Sequence, residues 1–99
     1  KLDKIPILRE AEEMYKLGIT TKANNMNRKL VENNWSFDCK RDLVKEELML
    51  DPQTNGGLLV AVPESNTQTI IDTLHEAGLK HSVRIGHISK FSDSKIRLI

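Results

Sequence analysis

The sequence contains one cysteine and few aromatic residues, and these shortages exclude several classes of protein. Cys39 by itself can form neither an internal disulfide nor a zinc cluster, which fits a reducing compartment best, although a cysteine-poor secreted domain would look the same. Aromatic residues make up 4% of the 99 residues, too few for a surface on which nucleic-acid bases stack. We therefore expect neither a disulfide-stapled domain nor a binder of single-stranded nucleic acid.

An excess of one charge and a long hydrophobic run are also lacking. Lys and Arg total 15 against 14 Asp and Glu, for a net charge of +1, so the basic surplus typical of phosphate-backbone binding is absent. The longest apolar stretch, residues 56–62, is far shorter than the roughly 20 residues of a membrane-spanning helix. No basic and then apolar leader is visible, and the sequence begins at Lys1 rather than Met. We expect a fragment of a longer protein, with neither nucleic acid nor a membrane as partner.

Helical periodicity recurs along the chain. Apolar residues return at helical spacing over residues 9–17, 23–33, 42–49 and a fourth segment that starts near Ser65 or Asn66. Either of those two residues can cap the fourth helix. Gly18 follows the first helix and Gly78 the fourth, at the position where a left-handed glycine commonly ends a helix.

Strand patterns lie between and after these helices. They cover residues 35–37, 58–62, 83–85 and 96–98. Residues 58–62 are apolar at every position, which is typical of a strand covered on both faces. The order of elements predicts an α+β fold with a mixed β-sheet packed against helices. We expect a single domain, residues 1–99, because 99 residues are too few for a two-domain enzyme and enough for one modest core.

The strongest turn signal in the chain is residues 51–57, Asp-Pro-Gln-Thr-Asn-Gly-Gly. Successive backbone N–H groups in such a turn can surround an anion, with the Thr54 hydroxyl as a further donor. The same residues can instead make only a tight entry into a buried strand, and spacing alone favours this structural interpretation. The turn is not a P-loop, since no Gly-Lys-Ser/Thr follows it, and a strand rather than a helix is predicted next.

The other reactive side chains form no catalytic or metal-binding pattern. Cys39 has no histidine near it in sequence, and the histidines lack the i, i+4 spacing of a helical metal pair. We expect His75 to be solvated, opposite the apolar stripe of its helix. Glu46 and Glu47 are interpreted as charges on a solvated helix surface. The residues alone therefore predict no catalytic residue and no metal ligand.

Residues 51–62 read Asp-Pro-Gln-Thr-Asn-Gly-Gly-Leu-Leu-Val-Ala-Val, and this stretch resembles the C-terminal domain of selenide, water dikinase (selenophosphate synthetase). That family carries a very similar Asp-Pro-Gln-Thr-Ser-Gly-Gly-Leu-Leu stretch before a short apolar strand, so Asn55 replaces its usual Ser. The flanks are similar too, with Ile-Pro-x-Leu at residues 5–8 and a helix ending Tyr-Lys-Leu-Gly at residues 15–18. The resemblance covers nearly all of this chain and only the C-terminal part of a family member.

One segment departs from the family pattern. Residues 20–24 read Thr-Thr-Lys-Ala-Asn, where family members usually show a Pro-Gly-Gly-Thr-like loop before an Arg-Asn pair. Asn27 can match that Asn, but Met26 stands in the place of the Arg. Any contact that this loop makes with nucleotide or with a partner domain would therefore differ here.

The resemblance implies a two-domain, cytoplasmic enzyme of the aminoimidazole ribonucleotide synthetase-like superfamily. It implies that the full-length homodimer makes selenophosphate, AMP and phosphate from ATP, selenide and water, with magnesium. In that arrangement this fragment is one wall of an ATP cleft, and its missing N-terminal domain holds the metal-binding aspartates and the reactive Cys or selenocysteine. Cys39 does not match that reactive position. The residues expected to contact nucleotide or phosphate are Thr54, Asn55, Gly56, Gly57 and, as a further candidate, Asn27.

Two other hypotheses remain open from the sequence. The chain could be the C-terminal domain of a related ATP-using synthetase of the purine-pathway type, although the Gln53-Thr54 form is associated with the selenium enzyme. It could also be a small non-enzymatic module whose sheet edge pairs with a protein partner. The enzyme hypothesis expects an apolar face that stays uncovered when the N-terminal domain is absent.

Overall fold

The computed structural model describes residues 1–52 and 55–99. Within these ranges the α-helices are α1 (Arg9–Lys16), α2 (Lys22–Val31), α3 (Leu43–Met49) and α4 (Thr67–Glu76). The strands are β1 (Trp35–Phe37) and β2 (Ile96–Leu98), and short 3-10 helices span Leu2–Lys4 and Glu64–Asn66. The described part of the chain is therefore an α+β structure, as predicted. None of its helices is long and apolar enough to cross a lipid bilayer.

Two glycines end helices in the same way. Gly18 follows α1 with φ 77°, and Gly78 follows α4 with φ 92°. After α1, the Gly18 N–H donates to the carbonyl of Tyr15 at 3.0 Å, and the next N–H reaches back to Met14 at 3.1 Å. The corresponding pair of hydrogen bonds follows α4. Both ends are Schellman motifs, which need a left-handed residue after the helix, and both predicted glycine caps are confirmed.

The starts of α3 and α4 differ in how their free N–H groups are satisfied. The Asp42 carboxylate accepts from the backbone N–H groups of Val44 and Lys45, both at 3.1 Å, and so caps α3. Asn66 occupies the cap position of α4, one of the two predicted there, but it makes no side-chain cap hydrogen bond. Its side-chain oxygen instead accepts from the Ser65 hydroxyl at 3.0 Å.

The sheet is smaller than predicted. β1 and β2 pair in parallel, with Trp35 opposite Ile96 and Phe37 opposite Leu98. In the described residues this is the whole sheet, so the prediction of a mixed sheet is wrong here. Parallel neighbours need a long crossover, and α3 and α4 lie in the chain between these two strands.

The strands predicted over residues 58–62 and 83–85 are absent from the structure. A strand requires hydrogen bonds to a neighbouring strand, and neither segment pairs with β1 or β2. Leu58, Leu59 and Val60 are 92%, 83% and 67% exposed. The apolar pattern correctly marks side chains suited to burial, but the described residues provide nothing that covers them.

The apolar core is correspondingly small. Its buried members among the described residues are Leu2 in the first 3-10 helix, Leu50 directly after α3 and Leu98 in β2. The backbone N–H of Leu2 donates to the carbonyl of Ile99 at 3.0 Å and ties the start of the chain beside β2. Many of the large apolar side chains in the described residues remain exposed, so much of the apolar surface is available for a further contact.

Candidate functional site

The loop predicted to contact phosphate is exposed where the structure describes it. Asn55, Gly56 and Gly57 all lie at the surface. A Cβ at Gly57 would meet nothing within 4 Å, and Gly57 does not adopt a positive φ. Thr54, the predicted side-chain donor, lies outside the described residues together with Gln53. The backbone of residues 55–57 is therefore open to a ligand. Gly57 itself does not adopt the left-handed conformation that glycine permits.

The stem of this loop is held by a cluster of polar side chains, the anchor cluster, made of Tyr15, Asn24, Asn27, Glu47 and Asp51. The Tyr15 hydroxyl donates to Oδ1 of Asp51 at 2.6 Å. The Nδ2 group of Asn24, which is 2% exposed, donates to both the carbonyl and the Oε2 atom of Glu47, each at 2.9 Å. α1 and α2 are thereby tied to the end of α3, directly before the loop.

Asn27 belongs to the same stem. Its Nδ2 group donates to the carbonyl of Leu50 at 2.7 Å. Leu50 is the residue after α3 and immediately precedes Asp51. The structure thus places this predicted site residue under the base of the loop, where it supports the backbone.

Two members of the anchor cluster have shifted pKa values. Burial and then the hydrogen bond to Asp51 raise the pKa of Tyr15 above its ordinary 10.0, so the hydroxyl keeps its proton and donates at neutral pH. Burial alone would raise the pKa of Glu47, but hydrogen bonds from Asn24 and Arg28 and the charge of Arg28 together lower it. Glu47 is therefore held as a carboxylate that accepts from both neighbours.

A second polar group lies beside the anchor cluster and corrects a sequence interpretation. Glu46 was expected on a solvated helix face, yet its side chain is fully buried. Arg41 donates to it from Nε at 2.8 Å and from Nη2 at 2.6 Å, and Nη1 of Arg28 lies 3.8 Å away. Glu47 is likewise paired with Arg28 rather than free on the surface. The expectation of a solvated face is wrong for both, because α2 and the segment before α3 bring arginines against them.

The two arginines also contact the aromatic residues of β1. The Arg28 guanidinium lies 5.8 Å from the centre of the Trp35 ring, and that of Arg41 lies 4.6 Å from the Phe37 ring. A guanidinium over an aromatic face is attracted by the ring's quadrupole. Each arginine therefore contacts a glutamate of α3 and an aromatic ring of β1, and the two together connect the end of α3 to the sheet.

The remaining chemically reactive residues do not gather at the loop. Cys39 is partly buried beside a cavity of about 290 Å³. His75 was expected to be solvated but is partly buried, with Nε2 2.9 Å from the carbonyl oxygen of Ser82. Among residues 1–52 and 55–99, no three His, Cys, Asp or Glu side chains converge as metal ligands.

Comparison with known proteins decides the family. Selenide, water dikinase 2 of Peptoclostridium acidaminophilum is 33% identical over 95 residues, which is 96% of this chain and 27% of that protein. The selenide, water dikinase of Agathobacter rectalis is 35% identical over 89 residues, or 90% of this chain and 25% of that protein. This chain belongs to the selenide, water dikinase family.

A shorter stretch of the family member from Haemophilus influenzae is 39% identical over 64 residues, 62% of this chain and 18% of that protein. Seven curated proteins match in all, and each is named as a selenide, water dikinase. The chain spans about a quarter of the length of the first of them. No protein-family model matches the chain, and no solved structure matches it.

Sequence reasoning did not identify the anchor cluster. The sequence does carry a signal for it, because Asn24 and Asn27 stand three residues apart and therefore share one face of α2. Asparagine is a poor helix former, so two of them on one helix face indicate a role for their amides outside the helix. Tyr15 carried no comparable signal, since it fits the apolar face of α1 equally well.

Proposed function

We propose that this chain is the C-terminal domain of a selenophosphate synthetase of the aminoimidazole ribonucleotide synthetase-like type. The parent enzyme would be a cytoplasmic homodimer that converts ATP, selenide and water to selenophosphate, AMP and phosphate. The observation that carries this proposal is the similarity to selenide, water dikinases across 96% of the chain.

In this proposal residues 55–57 form one wall of the ATP cleft. Their exposed backbone can offer N–H groups to phosphate oxygens, with Thr54 as a further donor and Asn27 beneath them. Phosphoryl transfer depends mainly on positioning and on neutralisation of charge, so a domain without an acid–base pair can still be required for turnover. The domain would close over the triphosphate and keep water from the reactive phosphoryl group.

The magnesium used by the parent enzyme is assigned to the N-terminal domain in this proposal. The described residues of this chain do not converge as a set of carboxylate, imidazole or thiolate ligands. Magnesium is usually held by one or two carboxylates together with substrate phosphates, and the resemblance to the family assigns those carboxylates to the N-terminal domain, on the opposite wall of the cleft.

The exposed apolar segment supports a two-domain arrangement. Leu58, Leu59 and Val60 follow the loop directly and are largely uncovered. The family relative from Peptoclostridium acidaminophilum is almost four times as long as the matched stretch, so the parent has ample chain to cover them. We propose that the N-terminal domain packs on this segment and thereby brings residues 55–57 to the nucleotide.

Phosphorus NMR of the full-length parent with magnesium-ATP, with and without selenide and without oxygen, tests the function. We expect a new phosphate signal coupled to selenium together with AMP. ATP left untouched by folded protein in both samples would contradict the selenophosphate assignment and favour a related synthetase that acts on another substrate.

A matched pair of variants tests the loop within the same experiment. Gly57 and Gly86 both have open space around a Cβ and neither adopts a positive φ, so the two positions are matched in their local tolerance of a side chain. Gly57→Val should slow ATP consumption because it obstructs the approach of phosphate to the backbone, whereas Gly86→Val should not. Equal rates for the two variants would remove residues 55–57 from the proposed cleft.

A further inference from the structure

The most constrained part of the loop is its start. Asp51 is held by the Tyr15 hydroxyl at 2.6 Å, and the preceding carbonyl, that of Leu50, is held by the Asn27 amide at 2.7 Å. Two consecutive residues are thus fixed by side chains from two different helices, α1 and α2. A side-chain hydrogen bond to a charged acceptor is stronger than one between neutral groups, so the tie to Asp51 is the stronger of the two.

The residue that follows transmits this constraint along the chain. Pro52 has its own φ locked and restricts the backbone of the residue before it. Once Asp51 is fixed, the direction in which the chain leaves α3 has little freedom. Residues 55–57 begin three positions after Pro52, so the length of chain between them limits how far they can lie from the anchor at Asp51.

We propose that Tyr15 is a positioning residue, whose hydroxyl orients the backbone of residues 55–57 by holding Asp51 at the start of the loop. Tyr15 is not placed against a ligand itself. The consequence for nucleotide rests on the proposed function: a loop held in one arrangement binds phosphate more tightly, because less conformational entropy is lost on binding.

The raised pKa of Tyr15 agrees with this role, since the hydroxyl remains a donor throughout the neutral range. The location agrees as well. Tyr15 lies in the last turn of α1, whose end is fixed by the Gly18 motif, so the ring is carried by a rigid element. Asn24 and Glu47 pack beside it and close the anchor cluster on its other side.

The test uses the full-length parent enzyme with Tyr15→Phe, which removes only the hydroxyl. The matched control is Ser36→Ala, which removes a hydroxyl bonded to Ser94 at 2.8 Å, beside the sheet and outside the anchor cluster. Two quantities are measured for each: the NMR positions of the backbone amides of residues 55–57, and KM and kcat for ATP. Asp51→Asn, which weakens the same hydrogen bond from the acceptor side, serves as the second variant.

We expect Tyr15→Phe to shift the amides of residues 55–57 and to raise KM for ATP roughly threefold to tenfold with little change in kcat, as the loss of one hydrogen bond would. Asp51→Asn should change both quantities in the same direction by a smaller factor. Ser36→Ala should leave both unchanged. If Tyr15→Phe only destabilised the protein, it would lower the fraction of folded enzyme and therefore the apparent kcat, and KM for ATP would stay unchanged.

Two results would overturn the proposal. Unshifted amides in Tyr15→Phe would show that the hydroxyl does not position the loop, and shifted amides with an unchanged KM would show that its position does not matter for nucleotide. Failure of the proposed function is distinguishable from both, because the unaltered enzyme would then form no selenophosphate from ATP and selenide. The amide positions would still decide the role of Tyr15.

Discussion

Glu46 and Arg41 form an ion pair in which the carboxylate is fully buried and the guanidinium is about half exposed. Two hydrogen bonds join them, at 2.8 and 2.6 Å, so both carboxylate oxygens are satisfied by one arginine. Removing Glu46 and removing Arg41 therefore leave the remaining charge in different surroundings. An arginine left alone can be hydrated where it stands, whereas the buried carboxylate cannot.

This asymmetry predicts unequal effects of two substitutions on the free energy of unfolding. Glu46→Gln should cost about 1–2 kcal/mol, since a neutral amide keeps the shape and one acceptor. Arg41→Met should cost more, because it leaves the Glu46 charge buried with Arg28 at 3.8 Å as its nearest cation. Denaturant unfolding followed by circular dichroism measures both.

The double variant Arg41→Met/Glu46→Met is the control for this pair. Removing both charges together eliminates the unpaired buried carboxylate, so the double variant should be more stable than Arg41→Met alone. If the two single substitutions cost the same, the difference in burial between the partners has no energetic consequence.

Glu47 predicts the behaviour of the protein in acid. Its pKa is lower in the folded protein than the ordinary 4.5, so the folded state holds the carboxylate more strongly than the unfolded state does. The stabilisation is therefore fully present above about pH 4.5 and is lost as the pH falls through the folded-state pKa. Glu47→Gln should flatten the fall in stability with decreasing pH over that range.

A substitution of Arg28 tests the cause of the lowered pKa of Glu47. Because Arg28 contributes to the lowered pKa through both a hydrogen bond and its charge, Arg28→Met should flatten the same part of the pH profile. Unfolding midpoints measured as a function of pH report the slopes directly. A profile of Glu47→Gln that runs parallel to that of the unaltered protein in acid would contradict the assignment.

The left-handed conformation of Gly18 predicts a loss of stability when this residue is replaced. Alanine at φ 77° must adopt the left-handed conformation, which costs about 1–2 kcal/mol for a residue with a Cβ. Gly18→Ala should therefore lower the thermal midpoint measurably. Gly86→Ala is the matched control, since that glycine lacks a positive φ and has open space around it, and it should be neutral or slightly stabilising. Equal midpoints for the two variants would exclude the left-handed requirement.

The helices and their ends could be read from the sequence, because their causes are local. Periodicity over three or four residues predicted α1, α2, α3 and α4, and the glycines after α1 and α4 lie where a Schellman motif requires them. The candidate loop was also recognisable, since its Asn-Gly-Gly composition and its resemblance to a family lie within a dozen consecutive residues.

Contacts between distant segments were decided by the tertiary structure. Trp35 pairs with Ile96 across most of the chain, and no local pattern specifies that partner. In the sequence, Glu46 cannot be told from an exposed helix glutamate, and only the fold brings Arg41 and Arg28 against it. Tyr15 likewise fits an apolar helix face, and only the fold places Asp51 at its hydroxyl. Residues 58–62 have apolar side chains that favour burial, but burial requires a second surface, which their own sequence does not specify. A strand likewise forms only where another strand supplies the hydrogen bonds.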